Sequence, residues 1–187
     1  MPPFRRLSAL LPLAVAAACS DPNSLGDPTE TNVIDTVTIG SLVGTPISTP
    51  SGYNISIGPV RTDQSVEFEF AYNIRQLPDD TYQRVLMPRA ALGLSSTTTA
   101  NPGLQRRDEA FDAICRARSN GYVVDSAVPV EIGQRYLVRS RVVCTVLGVP
   151  LYGKLEILGF QDSTITFRVL ADRNCGFKDL LPGLPDN

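Results

Sequence analysis

The side chains in this chain that can do chemistry are few, and one kind is missing. No histidine occurs among the 187 residues, which excludes Ser-His-Asp and Cys-His catalysis, His-ligated zinc and bis-His haem ligation. What remains is the glutamate pair Glu67 and Glu69, the arginines Arg135, Arg139 and Arg141, an isolated Asp162, and the cysteines Cys19, Cys115, Cys144 and Cys175. Two carboxylates at alternate positions of one strand lie about 7 Å apart, the scale of paired catalytic acids. They are also the ordinary solvated face of a one-sided sheet, and that is the role expected for Glu67 and Glu69. The arginines offer forked donors for a carboxylate, a phosphate or an acidic glycan. Pairing with carboxylates on neighbouring strands is the role expected of them, an arrangement that contributes little energy.

Cys115, Cys144 and Cys175 lack the clustered spacing of a zinc trio, and no imidazole is present to activate one as a nucleophile. In an exported chain a disulfide is permitted, and three thiols leave one over. Cys144 ends a predicted strand and Cys175 follows the next hairpin, so their bond staples the last loop onto the sheet. Closing about thirty residues contributes roughly 3 to 4 kcal/mol in the chain-entropy model. Cys115 is then expected as a buried apolar thiol.

Export is indicated by the first nineteen residues. Arg5 and Arg6 precede an apolar run of twelve residues, 7–18, too short at about 1.5 Å per residue to span a bilayer core of about 30 Å. Ala16, Ala17 and Ala18 then lead into Cys19, completing the three-part pattern of an export signal. These residues resemble the lipobox of bacterial lipoproteins, although Ala16 stands where the family most often has Leu. The resemblance implies that Cys19 is acylated and becomes the mature N-terminus; the alternative is an ordinary secretory signal cut near Ala18 or Ser20. Ser20 follows the cysteine and Asp21 comes only after it, which by resemblance to proteobacterial sorting rules leans toward the outer membrane, on its periplasmic or surface face.

The whole chain has 17 basic and 19 acidic residues, and cleavage before Cys19 removes Arg5 and Arg6, leaving 15 against 19 and a net charge of −4. No nucleic-acid partner is expected at that balance. About 150 residues follow position 34, enough for one domain with a sizeable core.

Residues 19–34 are rich in Asp, Pro, Asn, Thr and Gly without apolar period and read as a flexible tether, able to reach about 50 Å when fully extended. Asp21, Asn23 and Asp27 echo a calcium loop but lack its terminal Glu, so a solvated linker is expected. Residues 35–187 form a β-rich domain. Short β-branched runs at 37–39 and 53–57 are bounded by Gly and Pro. Over 65–74 the residues Val66, Phe68, Phe70 and Tyr72 alternate with Glu67, Glu69 and Asn73, as on a strand with one buried face. Residues 85–88 read as a short strand and 93–103 as a polar loop. Residues 107–118 fit either a short helix, favoured by Ala, Glu and Arg, or a strand. Strands follow at 122–125, 128–132, 134–146, 151–160 and 164–170, the last two joined through Gln161, Asp162 and Ser163 as a hairpin. The fold class is all-β: a single antiparallel sandwich or barrel-like domain, with room for one short helix near 107–118.

Residues 133–139, 152–157 and 164–167 look like the C-terminal hairpins of HmuY-like surface lipoproteins, and 68–72 looks like the central strand of that fold. Studied members bind haem between two histidines, which this chain lacks, so the resemblance implies architecture rather than activity. Residues 174–177 and the proline-rich tail look like uncharacterised envelope lipoproteins. The function expected is a non-enzymatic, lipid-anchored envelope domain that uses no cofactor and binds an unknown protein, a glycan or a small hydrophobic ligand. One alternative is a haem or small-hydrophobe carrier that takes Met87, a Tyr or a Cys as iron ligand. A second is a hydrolase working through Glu67, Glu69 or Asp162.

Overall fold

Alternating β-branched and aromatic residues between turns produce ten strands in a computed structural model that describes residues 25–95 and 100–185. They are β1 (Ile34–Gly40), β2 (Gly52–Asn54), β3 (Gly58–Val60), β4 (Phe70–Gln76), β5 (Tyr82–Pro88), β6 (Gly103–Arg107), β7 (Val128–Pro129), β8 (Arg135–Cys144), β9 (Val149–Gln161) and β10 (Thr164–Asp172). Two five-stranded sheets result, ordered β1-β10-β9-β8-β6 and β3-β2-β4-β5-β7, with every pairing of these strands antiparallel. Neither sheet closes on itself, so the architecture is a sandwich.

The inner faces meet in one core that includes Val37, Ile39, Tyr53, Phe70, Tyr72, Leu155, Ile165 and Phe167. Tyr53 and Phe70 of the second sheet both contact Phe167 of the first, at ring-centroid distances of 5.5 and 5.9 Å, and lie 5.6 Å from one another. Aromatic pairs at such spacing contribute about 0.5 to 1.5 kcal/mol each beyond the area they bury. The alternation of Ile165, Phe167 and Val169 holds as expected, with all three buried. Asp162 sits in the β9–β10 turn at φ 49°, a left-handed conformation that Asp tolerates.

The alternation expected over 65–74 breaks at its start. β4 begins only at Phe70; Phe68 packs with Val60 and Ala71 in a separate cluster, and Val66 is exposed. Residues 53–57 are not one strand either: β2 ends at Asn54, and a turn leads into β3. Residues 122–125 contribute a single bridge, Leu104 to Val123, and only Val128–Pro129 of 128–132 is strand.

No helix forms over 107–118 beyond a 3-10 turn at Phe111–Ala113. Phe111, Ile114 and Ala117 instead point inward at every third residue and cover the outer face of the first sheet, together with Leu137, Tyr152, Leu170 and Leu180. Tertiary burial overrides helix propensity here. The same spacing turns Cys115 outward, so the expectation of a buried thiol fails: it is a free, exposed cysteine. Lys154 lies beneath this cover at 1% exposure and donates 2.9 Å hydrogen bonds to the carbonyls of Phe111 and Ile114. Burial lowers its ammonium pKa, and the two carbonyls provide the satisfaction that a buried cation needs.

Cys19 and the rest of the signal lie outside the described residues, as does the first part of the tether. The remainder of the tether is docked rather than free. Asn174 Oδ1 accepts from the Thr29 and Glu30 amides at 2.8 and 2.9 Å, and its Nδ2 donates to the Glu30 carbonyl at 2.8 Å. Asn32 is buried, exchanging backbone bonds with Gly183 and donating its side-chain amide to the Asp179 and Leu181 carbonyls. Gly176 adopts φ 80°, and a Cβ there would meet the Leu25 and Val149 side chains at 3.0 and 3.1 Å, so this turn needs glycine.

Cys144 and Cys175 form the expected disulfide, with Cα atoms 5.8 Å apart and a sequence separation of 31. It ties the loop carrying Asn174 to the end of β8. Reduction, or paired substitution to alanine, is expected to cost roughly 3 to 4 kcal/mol, read as a lower midpoint in urea denaturation. An unchanged midpoint on reduction refutes a stabilising role for the bond.

Candidate functional site

The residues singled out from the sequence come together in part, and the arginines are all engaged. Arg135 pairs with Glu156 at 3.4 Å and reaches the Asp108 carbonyl. Arg139 donates to the carbonyls of Ser119 and Asn101 at 3.1 and 3.3 Å and lies 4.8 Å from the Tyr122 ring centroid. Arg141 forms an ion pair with Glu67. The register of β8 against β9 shifts between Arg139 and Val142, so the regular arginine stripe expected from alternation ends at that irregularity. Two of the three arginines hold loops onto the outer face of the sheet, and the third pairs with Glu67.

Glu67 and Glu69 are not a solvated pair. Glu69 is only 4% exposed; its Oε2 accepts from the Ile55 amide at 2.7 Å, while its own amide donates to the Tyr53 carbonyl at 2.8 Å. It ties the β2–β3 hairpin to the start of β4. Burial pushes its carboxyl up to about 7, against the Ile55 hydrogen bond and the Arg141 charge, which pull it down. An acid titrating near neutrality is a plausible proton donor in the abstract. Here it is enclosed and its lone pair is committed to the backbone, so its evident work is structural. Asp162 is exposed in the β9–β10 turn, and Met87 is half-buried on β5 opposite Ala71.

Sequence reasoning missed the concavities where the sandwich edges meet. The first, a cleft of about 280 Å³, lies between the outer edge of β1 and the β2–β3 hairpin, with Val37, Tyr53 and Val169 in its lining and Val33, Ile34 and Ile57 exposed around it. Arg173 and Asp35 are its charged groups, and Asp35 Oδ1 is 2.7 Å from the Thr36 amide, blunting the free strand edge. Burial pushes the Tyr53 phenol well above the usual tyrosine range, so it is neutral at any physiological pH. A neutral phenol, aliphatic side chains, one cation and one carboxylate thus share the cleft, a mixed polar and apolar lining. A second depression, about 410 Å³, runs along β5 and β7 beside Tyr82, Ile132 and Phe160, where the Arg84 guanidinium stacks 4.7 Å from the Phe160 ring centroid. Neither was legible beforehand, because the lining residues are scattered over the sequence. The only available hint was the apolar pair Val33 and Ile34 at the end of a polar stretch.

A third cluster gathers polar groups at the joined chain ends. Asp172 is fully buried; its Oδ1 accepts the Asn174 backbone and side-chain amides, both at 2.8 Å, and burial raises its carboxyl pKa.

No protein-family model, curated protein or solved structure matches this chain.

Glu69 generates a pH dependence of definite sign. Its folded pKa of about 7 lies above the ordinary glutamate value of 4.5, so between those values the native state keeps a proton that the unfolded chain releases. This group's contribution to stability is therefore full in acid and is lost as the pH rises through that window, by on the order of 3 kcal/mol. The variant Glu69→Gln keeps an acceptor for the Ile55 amide and is expected to be more stable than wild type at pH 8 but not at pH 5, in urea denaturation at each pH. A wild-type-minus-variant difference that is flat with pH counts against the assignment.

Proposed function

We propose that this chain is an exported bacterial lipoprotein, acylated at Cys19, whose β-sandwich works by binding at the cell envelope rather than by catalysis. The observation that carries this is how the cysteines are used. Cys144 and Cys175 are bonded across the fold, as suits an oxidising compartment, and Cys19 stands directly after an export-signal pattern. Two or more acyl chains on that residue give stable membrane retention, which one chain does not.

Binding is favoured over hydrolysis by what the candidate acids are doing. Glu67 is held in an ion pair, Glu69 is enclosed against a backbone amide, and Asp162 stands in the hairpin turn. A carboxylate pair of the kind that cleaves glycosides stands opposed across the substrate. Among the described residues the depression beside Tyr82, lined by Arg84, Glu131, Ile132 and Phe160, is a concavity whose mixed aromatic, apolar and charged groups fit a small hydrophobic ligand, a glycan or a protein segment.

Metabolic labelling with radioactive palmitate tests the anchor. The wild type is expected to take up label that migrates with the protein, and Cys19→Ser is expected to lose it and to accumulate as the longer, unprocessed precursor. Equal labelling of the two proteins, or none in the wild type, overturns the proposal.

A further inference from the structure

We propose that the face from which the N-terminal run emerges is a membrane-docking surface, seated on the phospholipid headgroups with its apolar side chains in the interface. This rests on acylation at Cys19. Among the described residues the Leu25 side chain lies against Gly176 and Val149, and the run is fastened at Thr29 and Glu30 by Asn174. Only residues 20–24 separate Cys19 from that point, a reach of at most about 20 Å, less than half the span of a tether free to residue 34. A domain leashed so closely lies against the bilayer, and it presents the face where the run leaves it.

That face is apolar on both sides of the run. On one side Val33 and Ile57 are 64% and 68% exposed beside Ile34 at the edge cleft. On the other, Leu147 flanks a shallow groove shared with Gly26, Asp27 and Thr29, and the adjacent Val146, in the β8–β9 turn, is 98% exposed. Arg173 lines both depressions, so the two apolar groups border a shared cation. Exposed aliphatic side chains gathered this way carry a cost in water that a lipid interface removes. Asp27, Glu30 and Asp35 share the surface with Arg173, so attraction to anionic lipid is not what holds it. The occupant is the apolar margin of a phospholipid layer, entered to the shallow depth typical of interfacial proteins. The acyl chains retain the protein, and this face orients it, turning β5 and β7 toward whatever the domain binds.

The chain contains no tryptophan, so single-tryptophan variants report position without background. Full-length acylated Val146→Trp, Ile57→Trp and, as the control, Tyr82→Trp are reconstituted in phosphatidylcholine vesicles, with and without brominated acyl chains, and checked by flotation. All three positions are exposed, so folding is not at risk, and the control shares any intrinsic preference of indole for the interface. The bromolipid is expected to quench residues 146 and 57 several-fold more than residue 82, with aqueous iodide showing the reverse order. Equal quenching at the three positions in protein that floats overturns docking and leaves the anchor standing. Wild-type protein that does not float removes the anchor, and docking with it.

Discussion

The middle of the first sheet of this sandwich is buried on both faces, and most of what distinguishes the molecule follows from that. An antiparallel sheet ordinarily leaves one face to water. Here Leu137, Tyr152 and Leu170 project outward from β8, β9 and β10 and require a cover, which residues 111–117 and the segment around Leu180 supply. The two parts of the cover share one bridge, Arg116 to Asp179, and must find other partners for their remaining carbonyls. Lys154 satisfies two of them from inside the sheet, and at the rim Arg139 donates to the carbonyls of Ser119 and Asn101 in the flanking loops.

The second consequence concerns the chain ends. Residues 173–183 must stay packed for the cover to hold, and the Cys144–Cys175 bond and the Asp172–Asn174 hydrogen bonds fix their start. Asn174 then has acceptor and donor capacity to spare, and the N-terminal run takes both. A polar segment that composition assigns to a solvated linker is in this way drawn onto the domain. Much of the length of a long tether is lost, and the distance between the folded domain and any lipid on Cys19 shrinks accordingly.

The buried ionisable groups obey one rule. Glu69, Lys154 and Asp172 each lose hydration, and each is compensated by backbone amides or carbonyls or by a neighbouring amide side chain. Breaking any of these pairings leaves an uncompensated polar group, which costs more than the hydrogen bond itself contributes. Their shifted pKa values are accounted for by burial and its compensation, and enclosure by backbone separates them from acids poised in an open cleft.

Local pattern determined the all-β class, the β9–β10 hairpin with Ile165, Phe167 and Val169 facing inward, and the Cys144–Cys175 pairing, because period-two alternation, turn residues and loop closure between neighbouring elements are all short-range. The exclusion of imidazole chemistry needs only a composition. Tertiary structure alone decided that Glu69 is enclosed, that Cys115 faces outward, that residues 107–118 are neither helix nor regular strand, and that residues 27–34 are docked. In each case a contact with residues distant in the chain outweighed the local preference: the β2 backbone for Glu69, the outer face of the first sheet for 111–117, and Asn174 and Gly183 for the N-terminal run. The apolar edge cleft belongs to the same class, since residues from β1, the β2–β3 hairpin and the end of β10 meet there only once the two sheets are packed.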